Sequence, residues 1–345
     1  MNEILRTAVV VFILMGCLIQ LRAKEADSVS LRPSFELEYT AELQTDFKRT
    51  RQVNLLQLCA KLPLSRRVSF KVSSLSIAST TEEALAADLQ VYSNIDALNQ
   101  PFMLSVAGFS WQINDCHSLF AGIRSIDEDY FCSDVLSLFT NSSCGGFPTI
   151  SISYPIAIYP VASMGIHYQY DNENLGIQAS LYNGIGYNRF TGPDNVFRFC
   201  PKSDGLFALG QVEYRYQSSS YFLGASLYKG ELWGEDEHQY HPTIWTYAEQ
   251  ALSDRLKLIA AYSHAFCSDE LCRDFYGIGG KYAYKKIELG VFSDYTSVFD
   301  IDEWATELTC NITYNDHLSI QPVLHVLKTD GETKYIGMLR LNVTL

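Results

Sequence analysis

From Ser34 onward, apolar side chains return at every second position. "FELEYTAEL" sets Phe35, Leu37, Tyr39, Ala41 and Leu43 on one face, and "LGIQASL" does the same with Leu175, Ile177, Ala179 and Leu181. Near the end, "EWATELTCNITY" aligns Trp304, Thr306, Leu308, Cys310, Ile312 and Tyr314. The last segment, "KYIGMLRLNVTL", places Tyr335, Gly337, Leu339, Leu341, Val343 and Leu345 opposite Arg340, Asn342 and Thr344. A period of two gives strands with one apolar and one polar face. Sixteen such strands are expected, from 34–43 to 335–345.

The links between them alternate in length. "YKK" (284–286), "LSD" (252–254), "QSSS" (217–220) and "DNEN" (171–174) are tight. Between them stand long links: "NGIGYNRFTGPDNVFRFCPKSDG", "KGELWGEDEHQYHP", "CSDELCRD", "DYTSVFDID" and the longish "KTDGET" (328–333). A meander with tight turns at one end and long loops at the other is the pattern of an outer-membrane barrel, with short periplasmic turns and long external loops. A soluble β-sandwich explains the alternation of faces but not that of loop lengths. The expected fold class is therefore all-β: a transmembrane antiparallel barrel of about sixteen strands. An even count suits single-chain bacterial barrels, and sixteen strands enclose an aqueous lumen.

Composition agrees with strands: 22 tyrosines and 19 phenylalanines among 345 residues, and only 19% charged residues. Residues 1–23 read as an export signal, with Arg6, the apolar run "TAVVVFILMGCLIQL" and a small residue at Ala23. A rival reading lipidates Cys17 within "LMGC". The barrel domain is then 24–345. A net charge of −13 argues against nucleic acid, whose phosphates need a basic face. Eight cysteines follow the leader, and their pairing is open, with Cys267 and Cys272 near enough in sequence for a local bridge. No CxxC step or zinc-like spacing of histidines occurs, so no metal and no cofactor is expected. His238 and His241 in "EDEHQYH" stand beside carboxylates, a weak invitation to a divalent ion. No phosphate loop, nucleophile elbow or catalytic carboxylate pair is found, and catalysis is not supported.

The longest break in the strand rhythm is 125–160, which strand parity makes the third external loop. So long a loop in a compact protein is usually functional or disordered. Its prolines and its aromatics Tyr130, Phe131, Phe139, Phe147, Tyr154 and Tyr159 speak against disorder. A loop of this kind folds into a barrel and narrows it.

The segment "GIRSIDEDYFCSDVLSLFTNSSCGGFPTISISYPIAIYPVASMGIHYQY" (122–170) resembles the carbohydrate-selective porins of the OprB type. There, a strand ending in a Gly-x-Arg/Lys-like step leads to an acidic cluster and a Phe. An Asn-Ser-Ser-x-Gly…Pro stretch and a Tyr-Pro step follow before the next strand. Asn141, Ser142, Ser143, Gly145, Pro148, Tyr159, Pro160 and Gly165 match, and "SLYNGIG" (180–186) resembles the strand that follows. Cys132, Cys144 and Cys200 are not part of that pattern, and Leu345 stands where outer-membrane strands usually end in an aromatic. The resemblance implies a passive outer-membrane channel for sugars, constricted by this loop.

Selectivity in such a channel comes from pore width and lining groups. Arg124, Asp127, Glu128 and Asp129 are the foremost candidates for the narrow point, with Arg189 and Arg198 in the next loop behind them. Their plainer place is a solvated external loop. Asn141, Ser142 and Ser143 suit turn capping. Outer-membrane lipid and lipopolysaccharide are the expected surroundings and saccharides the expected solutes, in a monomer or a homo-oligomer. The rivals are a general, anion- or peptide-permeable porin, a barrel enzyme, and a secreted glycan-binding β-sandwich.

Overall fold

The computed structural model describes residues 31–232, 239–267 and 271–345. The expected leader, Cys17 and His238 lie outside them. The strands are β1 (Ser34–Thr45), β2 (Thr50–Pro63), β3 (Val68–Ser79), β4 (Gln100–Gln112), β5 (His117–Arg124), β6 (Ser163–Asp171), β7 (Leu175–Asn183) and β8 (Leu206–Tyr216). They continue with β9 (Ser219–Gly230), β10 (Gln239–Ala251), β11 (Leu256–Ala265), β12 (Cys272–Tyr284), β13 (Ile287–Val298), β14 (Ile301–Asn315), β15 (Leu318–Thr329) and β16 (Glu332–Thr344). Each pairs with its chain neighbours, and β1 pairs with β16 to close the barrel. The all-β, sixteen-stranded antiparallel barrel read from the sequence is present strand for strand.

The side-chain alternation is inverted relative to a soluble protein. On β14, Trp304, Leu308 and Ile312 point outward and are exposed, while Glu303 and Glu307 point inward and are buried. Ile278 on β12 and Leu223 on β9 show 67% and 63% of their surface to the outside. Exposed aromatics gather at both edges of this apolar wall. Trp111, Tyr214, Tyr221, Tyr284 and Tyr314 lie toward the turn end, and Tyr240, Tyr276, Trp304 and Tyr335 toward the loop end. An apolar band between two aromatic girdles is the surface a barrel presents to a bilayer.

The asymmetry of the links holds for the first half of the barrel. Tight turns at 64–67, 113–116, 172–174 and 217–218 face long loops at 80–99 (L2), 125–162 (L3) and 184–205 (L4). It fails near the C-terminus. "DYTSVFDID" and "KTDGET" are not long loops: Phe299 and Asp300 alone join β13 to β14, and Asp330 and Gly331 join β15 to β16. All four residues have positive φ (51°, 63°, 48° and 81°), the backbone of the tight hairpin turn that matches strand twist. The Asp-Gly step at 330–331 is a strong signal for such a turn. The local Cys267–Cys272 bridge that the sequence allows is not formed. Cys272 begins β12 with its Sγ 2.9 Å from Thr296 Oγ1, Cys267 Sγ lies 3.4 Å from the Tyr240 carbonyl, and no disulfide forms among the described residues.

The closing seam carries a buried ion pair. Glu42 on β1 stands opposite Arg340 on β16, and Arg340 Nε and Nη2 donate to Glu42 Oε1 at 2.8 and 2.5 Å. Ser93 and Gln44 donate to the other oxygen at 2.7 Å each. Replacing Glu42 by Ala strands a buried guanidinium, and the expected loss is about 3 kcal/mol of unfolding free energy. Urea unfolding from lipid vesicles measures it. A loss below about 1 kcal/mol, the range of an exposed pair, would show that the seam does not rely on this contact.

Candidate functional site

L3 does not stay outside: it enters the lumen and lines one side of it. Prolines and glycines keep it from running as a strand, and it proceeds by short turns: 3-10 turns at Ile126–Glu128, Leu136–Leu138 and Ser142–Cys144, and a helical turn at Pro148–Ser151. Its apolar side chains meet an aromatic inner wall built by β7 to β13. Phe147 stacks on Phe275 at 4.8 Å, Phe131 lies 5.2 Å from Trp245, and Tyr154 stacks on Tyr228 at 5.1 Å. Gly290 leaves the room that Leu138 and Phe139 occupy; a Cβ there would sit 2.8 and 2.9 Å from them. Each ring so buried contributes roughly 2 kcal/mol. Five of the six loop aromatics, Tyr159 excepted, therefore form a buried plug and do not face the passage.

Inward carboxylates on the wall set the loop's height. Glu307 accepts the backbone N–H groups of Thr140 and Asn141 at 2.9 to 3.0 Å, and Glu249 accepts that of Val135 at 2.6 Å. Gln321 donates to the Leu138 carbonyl at 2.7 Å. Asn141 does two things at once. Its Oδ1 caps Ser143 N at 3.1 Å, as a turn-capping residue should, while its Nδ2 donates to Asp294 at 2.8 Å.

L2 also turns inward, which nothing in the local sequence announced. Glu303 accepts from the N–H groups of Leu89 and Gln90 at 2.8 and 3.0 Å, and Asp96 forms an ion pair with Arg51 on β2. The two loops are then joined to each other. Asn94 N donates to the Thr140 carbonyl at 2.7 Å, Ser142 N to Val91 at 3.0 Å, and Ser143 Oγ to Gln90 Oε1 at 2.7 Å. Tyr159 Oη donates to the Ile95 carbonyl at 2.8 Å. The signal that would have found this dock is the row of carboxylates on the inner faces of β1, β13 and β14, each needing donors from something inside the barrel.

Two of the open spaces lie between the loops and the wall of β1 to β5, and another of about 390 Å3 lies on the far side of L3, lined among others by Asp134, Lys281, Glu288, Gln321 and Arg340. Toward the loop end is a chamber of about 480 Å3 whose lining includes Gln57, Gln90, Asn94, Ser105, Asp127 and Glu128. Toward the turn end is one of about 550 Å3, lined among others by Glu36, Lys61, Lys71, Arg124 and Glu128. Gln57 on β2 and Glu128 on L3 belong to both, so they mark the neck between the two.

The expected site residues divide accordingly. Glu128 projects into the neck, open to lumen water but ringed by protein. That burial pushes its carboxyl up to about 7, with Arg124 opposing and Asp127 and Asp129 adding. Arg124 faces the turn-end chamber, is held at 2.5 Å by Asp129, and lies 5.0 Å over the Phe120 ring. Asp129 also lies 3.6 Å from His167 Nε2 and serves to position Arg124. Asp127 accepts from Tyr159 N at 3.1 Å and ties the two ends of L3 together; burial raises its carboxyl. Gly145 ends the Ser142–Cys144 turn, Pro148 opens the helical turn, and the Tyr159–Pro160 peptide is cis. Cys144 is a buried member of the plug, its thiol raised well above its usual value by burial. Arg189 and Arg198 are in L4 and do not reach either chamber: Arg189 is exposed, and Arg198 is bound to Asp194 and Asp204. His241 sits beside the stacked Tyr154 and Tyr228 rings, 6.1 and 5.9 Å from them, and no group of residues able to hold a metal occurs among the described residues.

No family model matches the chain, and no curated protein is recovered as a relative. Solved structures do match. OprB of Pseudomonas putida at high pH is 14% identical, covers 91% of this chain and 94% of its own, and superposes with a TM-score of 0.77. A loop-deleted OmpT of Vibrio cholerae is 10% identical over 91% and 99% of the two chains, with a TM-score of 0.60. A mutant of the Rh. blastica porin is 10% identical over 91% and 100%, at 0.59. The likeness to OprB read from 122–186 thus extends to the architecture of the described barrel: the chain has the sixteen-stranded fold of the outer-membrane porins.

Proposed function

We propose that the protein is a passive, substrate-selective porin of the bacterial outer membrane that passes saccharides through the neck at Gln57 and Glu128. The observation that carries this reading is how the lumen charges are disposed. Arg51 is paired with Asp96, Arg340 with Glu42 and Arg124 with Asp129. The loop-end chamber otherwise presents mainly uncharged hydrogen-bonding groups, among them Gln57, Gln90, Asn94, Ser105 and Ser142, with Asp127 and Glu128 on the L3 side. A solute entering the neck gives up water, and these groups return hydrogen bonds to its hydroxyls. The motif likeness to carbohydrate-selective porins points the same way. On this reading residues 1–23 are removed on export, L3 is the constricting loop, diffusion is uncatalysed, and membrane lipid with lipopolysaccharide surrounds the barrel.

One observation favours a general porin instead. Lys61 and Lys71 line the turn-end chamber, and an imbalance of charge there would draw small anions. Vesicle swelling separates the two. Glucose and maltose are expected to enter several-fold faster than amino acids of similar size, and equal rates for size-matched solutes would remove the saccharide reading.

The neck should respond to pH in one direction. Because its carboxyl is raised to about 7, Glu128 is largely neutral below that pH and ionised above it. Preference for cations over anions, read from reversal potentials across a planar bilayer, is expected to rise between about pH 6 and pH 8. Glu128→Gln should flatten that rise. An unchanged profile in the variant would place the titrating group elsewhere.

A further inference from the structure

L4 is built differently from L2 and L3: it leaves the lumen and folds back over the outside of the barrel. Leu104 on β4 and Ile123 on β5 point outward, yet they are only 6% and 1% exposed. Val196 of L4 covers them, with Tyr187 packed beside it. Elsewhere on the outer wall, comparable side chains are bare. The strap is stiff. Asp204, almost fully buried, accepts from Asn183 Nδ2 at 3.0 Å, Tyr187 Oη at 2.9 Å, and Arg198 Nε and Nη2 at 2.9 and 2.8 Å. Tyr187 also bridges Ala162 through its backbone.

This stiff strap turns three rings outward. Phe190, Phe197 and Phe199 are about half exposed, at 51%, 50% and 55%. Phe190 lies 5.3 Å from Phe197 and 5.9 Å from Phe102, an outward residue at the loop end of β4. The ridge therefore continues the apolar wall at the level where headgroups begin, and Arg189 is exposed beside it. Rings held outward by a rigid scaffold mark a contact surface, since a merely solvated loop has no reason to order them. A stable contact with a second copy needs about 800 Å2 from each partner, more than a few half-exposed rings supply. A lipid needs only an apolar ridge with a cation above it.

We propose that the L4 strap is a binding site for a phosphorylated glycolipid of the outer leaflet. Its acyl chains lie along Phe102, Phe190 and Phe197, and a phosphate meets Arg189. Long loops mark the external end of an outer-membrane barrel, which is why the occupant is the external leaflet's glycolipid and not a phospholipid. The site is independent of cargo: a channel that rejects sugars but protects L4 sinks only the saccharide reading. The test is hydrogen–deuterium exchange of residues 186–200 in the full chain, reconstituted with lipid A, dephosphorylated lipid A or phosphatidylglycerol. Lipid A is expected to slow exchange about tenfold relative to the other two. Arg189→Gln, and separately Phe190→Ser with Phe197→Ser, should abolish that difference while heat-modifiable migration shows an intact barrel. If the double variant does not insert, Arg189→Gln alone decides. Equal slowing by phosphatidylglycerol or dephosphorylated lipid A overturns the proposal, as does slowing that tracks protein density in the vesicle, the signature of a second copy.

Discussion

A backbone N–H inside hydrocarbon has no water to fall back on, and this constraint governs the whole molecule. It forces every strand to find two partners and leaves no free edge, so β1 must meet β16. Once the wall is closed, its outer face is committed to apolar side chains, and polar ones are sent inside. The inner carboxylates then require donors of their own. Glu303 and Glu307 find them in the backbones of L2 and L3. The inward course of both loops thus follows from the same accounting that closed the barrel.

The inner wall is not uniform, and its division explains the passage. From β7 to β13 it carries aromatics such as Phe207, Trp245, Phe275 and Phe292, which bury the apolar side of L3. From β1 to β3 it carries Glu36, Gln57, Lys61 and Lys71, which have no such cover. Water and solute are left to the polar side. The plug is therefore off-centre, and the neck forms where L3's acidic turn comes nearest to β2.

The strands were legible because a wall with lipid on one side and water on the other enforces a period of two along all its length. The place of L3 was legible too, since strand parity assigns each long link to an end. Which way a loop folds was not. L2 turns inward toward Glu303 and Arg51, and L4 turns outward to cover Leu104 and Ile123; all four are distant in sequence from the loop segments they attract. Arg124 and Asp127–Asp129 could be placed near the lumen from the sequence because they adjoin a strand end, whose direction is known. Arg189 was misplaced because it sits mid-loop. Gln57 went unnoticed: on β2 it is one polar residue among many facing inward, and only L3's approach singles it out.

The loops that narrow the lumen are made early, but the groups that hold them are made late. Thr140 meets Glu307 across 167 residues, Leu89 meets Glu303 across 214, and Glu42 meets Arg340 across 298. Neither loop has its dock until β14 is in place, and the seam must wait for the last strand. The contacts that hold both loops inward, like those that close the seam, are therefore among the most widely separated in sequence, the kind that form slowly in folding.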